Sequence, residues 1–286
     1  DGDSSLLEEV AAATAATFNE CGFDMMYLDA LDGEDVLGGP ENGWHYGSKF
    51  VFELWRRLNQ PALMEMSTFH HHLWFVRSRL GAWDHPNRGH KRFIDLHVAA
   101  NQDCRRIFLP AHLGWWAIKA WQGVQSEPTF ADDIEYLCGK CLGTDTGFSL
   151  MGIDPQSFAK NEALQRLARI IRQYEALRHA GYFSEEIKAQ LREPRAEFKL
   201  EQGPEGNWRL RRAGYAKHKV EALDGRSNLW RVRNDLGRQP LKLRIEALAS
   251  AASYDDPDSI TLAGLTDPAE FSKAATADGV AADLFS

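Results

Sequence analysis

The chain has 286 residues, of which 44% are hydrophobic and 26% charged, an ordinary globular composition for one large domain or two smaller ones. Its formal net charge of -8 argues against a nucleic-acid partner, because phosphate binding needs a basic surface. No apolar run is long enough to span a bilayer, and no signal peptide opens the chain.

The first predicted element is a helix over SSLLEEVAAATAATFNECG, which Ser4 or Ser5 can cap, with Glu8 and Glu9 in its first turns and Gly22 at its end. FDMMYLD (residues 23–29) reads as a buried strand. GSKFVFELWRRLNQ follows as an amphipathic helix and PALMEMS as a second strand. KRFIDLHVA reads as a third strand and RIFLPAHL as a fourth. TFADDIEYLCGKCLGT is a helix, GFSLMGI a fifth strand, and PQSFAKNEALQRLARIIRQYEALRHAG one long helix with Pro155 in its first turn. Of four cysteines, Cys138 and Cys141 form a C-x-x-C pair on a helix with no second pair to complete a zinc site, and read as packed residues.

This alternation predicts an α/β protein with a parallel sheet. About five strands are visible, and the chain opens on a helix. The expectation is therefore the later part of a (β/α)8 TIM-type barrel over residues 1–193, its first strands supplied by a missing N-terminal part of the same barrel. No G-x-G-x-x-G loop supports a doubly wound nucleotide fold. From residue 194 the pattern changes to apolar–polar alternation between turns such as GPEGN and LDGRSN, which predicts an antiparallel β-domain over residues 194–253. Residues 254–286 begin a further strand-rich module or tail.

Barrel chemistry sits at the carboxyl ends of strands, where acidic residues break apolar runs. In FDMMYLD, Asp29 shares a face with Tyr27 and Met25, and Leu28 with Met26. If Met26 and Leu28 face the helices, Asp29 points into the mouth. In PALMEMS, Met64 and Met66 would face the helices and Glu65 the interior. In FIDLHV, Ile94, Leu96 and Val98 would pack outward, leaving Asp95 and His97 inward. A buried unpaired carboxylate is costly, so several converging acids point to a polar site. Asp32, before Gly33, is equally a turn former. His70, His71 and His72 are consecutive and cannot all face one metal, so no metal and no cofactor is expected.

Nine tryptophans add flat apolar faces that can stack on sugar rings. Trp44, Trp83, Trp115 and Trp116 lie in loops or just past strand ends. The segment GAWDHPNRGH carries Trp83, Asp84 and Arg88, able to stack on or hydrogen-bond a sugar. His71, His112 and Trp115 complete the candidate substrate-binding set with Asp32, Trp44, Asp95 and His97.

At these residues GFDMMYLDALDG, followed by a helix and PALMEMSTF, resembles strands 4 and 5 of retaining α-glycosidase barrels, nearest to the endo-α-N-acetylgalactosaminidase-like families. The resemblance implies that Asp29, ending YLD, is the nucleophile and Glu65, in MEM, the acid/base. The α-galactosidase-like clan is a looser match. It has a lysine where this chain has Tyr27, and its acid/base from a later strand would fall on Asp95. The implied activity is retaining hydrolysis of glycosidic bonds in an oligosaccharide, polysaccharide or glycoconjugate, in an extracellular or periplasmic setting. The alternatives are a non-catalytic carbohydrate-binding barrel protein, a metal-dependent hydrolase using Asp95 and His97, or a polysaccharide lyase.

Overall fold

The computed structural model describes residues 4–29, 31, 42–66, 73, 76–81, 86–103, 109–118, 129–216, 218, 224–226, 229 and 236. These form two compact units. One comprises Asp1–His85, Leu96–Trp116 and Asp145–Ser149; the other comprises Pro86–Asp95, Ala117–Thr144 and Leu150–Ser286. Each is described by itself.

The first unit is built on a parallel sheet. Helix α1 (Leu6–Cys21) is rich in alanine and buries Leu7, Ala11, Ala15 and Phe18, one stripe at helical spacing. Gly22 ends it at φ 66°, where only glycine is free of Cβ strain, and its N–H bonds the Phe18 carbonyl. Ser5 Oγ donates to the Glu9 carboxylate at 2.6 Å and makes no bond to the helix backbone. Strand β1 (Met25–Leu28) leads to α2 (Gly43–Trp55) and β2 (Leu63–Met66). The two strands pair parallel, with Met26 opposite Met64 and Tyr27 opposite Glu65. Met26, Leu28, Met64 and Met66 join Ala11, Ala15, Phe18, Val51 and Leu54 in one apolar core. The methionine and leucine face of each strand therefore turns toward the helices. Burying each such side chain stabilises the fold by about 1.5–3 kcal/mol.

Strand β3 (Arg79–Gly81) is too short to show in the apolar pattern. The third expected strand is a helix, α3 (His90–Asn101). Ile94, Val98 and Asn101 are buried while Leu96 is 60% exposed. The period-2 reading of Ile94, Leu96 and Val98 therefore fails, and an i, i+4, i+7 stripe ending in a polar residue replaces it. Gly89, at φ 74°, turns the chain into this helix, and its carbonyl accepts the Phe93 N–H at 3.1 Å. Strand β4 (Leu109–Ala117) runs four residues further than the sequence pattern indicates, so Trp115 and Trp116 lie within a strand rather than beyond one. Strand β5 (Gly147–Met151) completes a five-stranded sheet of order β1-β2-β3-β4-β5, parallel from β1 through β4.

The second unit is mainly helical. Helix α4 (Ala131–Thr144) is almost wholly buried, packed by α6 (Glu162–His179), α7 (Glu185–Arg192) and β6 (Glu197–Gln202). Gly143 allows the α4–α7 contact: a Cβ there would lie 2.9 Å from Leu191 Cβ and 3.0 Å from the Lys188 carbonyl. The single long helix expected from residue 155 is two, α5 (Pro155–Lys160) and α6. Asn161 interrupts them in an extended conformation, its side chain accepting the Leu164 N–H at 3.0 Å. An asparagine that can cap outcompetes helix continuation. Strands β6 and β7 (Trp208–Ala213) pair antiparallel. The rest of the expected β-domain to residue 253, and residues 254–286, lie outside the described residues apart from the isolated positions above. Among the described residues, no helix is long and apolar enough to cross a membrane.

Candidate functional site

Asp29 follows the last residue of β1 directly and is exposed. Tyr27, two residues earlier and half-buried, donates its hydroxyl to Asp29 Oδ1 at 3.2 Å. Glu65 lies on β2 between two methionines committed to the core, so alternation sends its side chain to the sheet face opposite them. It is 1% exposed. Its backbone is held on both sides. Met64 N–H donates to Ser78 Oγ at 3.0 Å and the Met64 carbonyl accepts the Ser78 N–H at 2.8 Å. Arg77, itself buried, donates from Nη2 to the Met66 carbonyl at 2.7 Å.

Aromatic side chains connect β1 to β4. The rings of Tyr27 and Trp115 are 5.7 Å apart at 57°, and those of Trp115 and His112 are 5.5 Å apart at 51°. Two strands separate β1 from β4 in the sheet order, a spacing of about 14 Å on a flat sheet. The two long side chains therefore reach toward each other across the sheet face that carries Tyr27. His112 is buried and fixed at both nitrogens. Its Nδ1 accepts the Gly114 N–H at 3.2 Å, so the neutral ring carries its proton on Nε2 and donates it to Ser149 Oγ at 2.8 Å. In that tautomer His112 cannot take a proton from Ser149, so the pair is not a nucleophilic dyad.

The structure thus brings Asp29, His112 and Trp115 into one connected line through Tyr27. Glu65 is in register with Tyr27 on the neighbouring strand. Tyr27 and Ser149 were absent from the sequence-derived candidates. Tyr27 carried a signal, its position two residues before Asp29 on the same strand face; Ser149 carried none. Trp44 is not in a loop but in the first turn of α2, exposed, its ring 5.7 Å from that of His45. Trp116 is buried with Nε1 donating to the Leu113 carbonyl at 2.9 Å, a packing role. His97 is half-buried on α3, not on a strand. Asp32, His71, Trp83 and Asp84 lie outside the described residues.

Arg88 and Asp95 belong to the second unit. Arg88 is half-buried in the turn before α3. Asp95, on α3 and not at a strand end, accepts from the Tyr136 hydroxyl at 2.6 Å and the Arg195 N–H at 3.1 Å. Lys140 Nζ lies 3.7 Å from it and donates to the Glu193 carbonyl. Lys140 is 1% exposed, and burial holds its ammonium below the ordinary lysine value against the opposing pull of Asp95. Burial, followed by the Asp95 carboxylate, pushes the Tyr136 phenol well up. Nearby, Lys91 bonds Asp132 at 2.8 Å and Glu197 at 2.6 Å and lies 4.2 Å from the centre of the Tyr215 ring. Burial opposes its charge, but the two carboxylates outweigh this and its value is raised. Cys138 and Cys141 are buried in α4, and burial raises the Cys138 thiol well above its ordinary value. Among the described residues no group of three histidine, cysteine or acidic side chains is arranged to hold a metal.

Compared with known protein families, curated proteins and solved structures, the chain matches none.

Proposed function

We propose that this chain hydrolyses glycosidic bonds with retention of configuration, using Asp29 as nucleophile and Glu65 as general acid/base. The observation that carries the reading is the placement of the two carboxyl groups: an exposed aspartate directly after one parallel strand and a glutamate on the next, in register with Tyr27. One strand across and two residues along put their Cα atoms about 8 Å apart. A glutamate side chain reaching up toward Asp29 can close that to the roughly 5–5.5 Å that a double displacement requires. In the first step an Asp29 oxygen bonds the anomeric carbon while the glycosidic C–O bond breaks. Its electron pair stays on the departing oxygen, which takes the proton of Glu65. In the second, Glu65 takes a proton from water, whose oxygen displaces Asp29.

The parallel pairing of β1 through β4, with the core of α1 and α2 packed on one face of β1 and β2, is what the (β/α)8 reading of β1–β5 rests on. Met25 and Leu63 lie on the same strand face as Tyr27 and Glu65 and are exposed. Trp115 and Trp44 offer apolar faces to a sugar. An extracellular or periplasmic location fits a glycan substrate. The second reading is a non-catalytic carbohydrate-binding protein, favoured by the depth of Glu65, since a catalytic acid must reach substrate.

The test is a screen on aryl glycosides and glycans with product analysis by NMR. The retaining reading expects a first-formed product with the substrate's anomeric configuration and no turnover by Asp29→Asn. It also expects a loss in Glu65→Gln that grows as the leaving group worsens, and partial azide rescue of Glu65→Ala on activated substrates. Binding without product would establish the second reading. An inverted first product would refute the double displacement.

A further inference from the structure

Resting on the glycosidase reading, we propose that Tyr27 is the positioning residue for Asp29, and that Trp115, His112 and Ser149 hold Tyr27 in place. A carboxylate beyond a strand end rotates freely about its own bonds unless something engages it. Here the Tyr27 hydroxyl engages Oδ1 at 3.2 Å, which leaves Oδ2 to face the anomeric carbon. The hydroxyl can do this only if its ring is fixed, and the ring is braced from across the sheet by Trp115 at 5.7 Å. Trp115 packs on His112 at 5.5 Å. His112 cannot rotate without losing the Gly114 N–H on one nitrogen and Ser149 Oγ on the other.

The contacts draw on three strands. Tyr27 belongs to β1, which Asp29 directly follows, Trp115 and His112 to β4, and Ser149 to β5. The chain of contacts therefore ties the packing of β4 and β5 to the orientation of one carboxylate. Gly114 takes φ 106°, a conformation that a residue with a Cβ avoids, and its N–H is the group that sets the His112 tautomer. A mutation at Gly114 acts on Asp29 through four contacts.

Tyr27→Phe keeps the ring against Trp115 and removes only the hydroxyl. Measured on a series of aryl glycosides of the sugar the enzyme turns over, kcat/KM is expected to fall about 10- to 100-fold. The loss should fall on kcat with KM unchanged, and by the same factor for good and poor leaving groups, because the attacking group and not the proton donor is disturbed. A defect in Glu65 would instead grow with leaving-group difficulty. A crystal structure of Tyr27→Phe should show the Asp29 carboxylate in more than one orientation, a readout that does not depend on activity. Wild-type kinetics with a single Asp29 orientation in Tyr27→Phe, where Asp29→Asn is dead, would overturn the role of Tyr27 and leave the glycosidase reading standing. Turnover retained by Asp29→Asn would overturn the glycosidase reading itself.

Discussion

Asp29 and Asp95 are the same residue type in opposite circumstances. Asp29 stands exposed at the end of a parallel strand with a phenol hydroxyl on one oxygen. Asp95 sits on a helix with a phenol on one oxygen, a backbone N–H on the other and a buried ammonium nearby. The first unit packs Met26, Leu28, Met64 and Met66 from one sheet face into its core and carries Tyr27 and Glu65 on the other. The second unit draws charge into its interior and matches it, Lys91 with Asp132 and Glu197, Lys140 with Asp95. The contrast teaches that an acidic residue in an apolar run is a weak indicator of chemistry. Under the proposed function, what separates a reactive acid from a structural one is whether neighbours satisfy it fully or leave it room.

The largest effect that would break or sharpen this comparison is on turnover. Asp29→Asn is expected to lower kcat by on the order of 10⁴-fold while leaving the melting temperature within about a degree of wild type. The mirror experiment is Asp95→Asn, expected to leave kcat/KM unchanged within about twofold. It should lower stability by about 1–3 kcal/mol, read by urea unfolding, because Lys140 loses its counter-charge. Should Asp95→Asn abolish turnover at unchanged stability, the two acids would have been assigned the wrong way round. Gly143→Ala should cost about 1–3 kcal/mol by forcing a methyl against Leu191 and the Lys188 carbonyl, with no change in KM.

Smaller effects appear in pH titrations of stability, where the two lysines have opposite signs. Lys91 has a raised value in the fold. Its contribution is full below the ordinary lysine value of 10.5 and is lost as pH rises through the raised value, so the advantage of wild type over Lys91→Met should shrink only above about pH 10.5. Lys140 is lowered. Its charge is a cost that is complete below its folded value and is relieved as pH rises toward 10.5, so wild type should gain on Lys140→Met over that interval. Melting temperatures from pH 8 to 11 for the three proteins decide both signs.

Much of the local structure was legible in the chain because it rests on local rules. The alanine-rich α1 with Gly22 at its end, the apolar strands around Met26 and Met64, the helix α4 and the antiparallel pairing of β6 with β7 all follow from periodicity and turn chemistry. The alternation of methionine with acid in LMEM was enough to say which face meets the helices. The failures came where two local readings competed. Residues 94–98 satisfy both a period of 2 and the i, i+4 spacing of Ile94 and Val98, and only the exposure of Leu96 chooses between them. At Asn161 a capping side chain beat a helix-forming run.

What the tertiary structure alone decided is which residues meet. The sequence determined that Asp29 would stand at the end of an apolar run and Glu65 within one, because that order is a property of one short segment. That Tyr27 touches Trp115, 88 positions away, or that Lys140 is drawn beside Asp95, depends on how strands and helices pack. Those are sums over many weak, distant contacts that no short window of sequence contains. The pattern could nominate both aspartates for chemistry, but only the fold placed one beside a single hydroxyl and closed the other within a ring of donors.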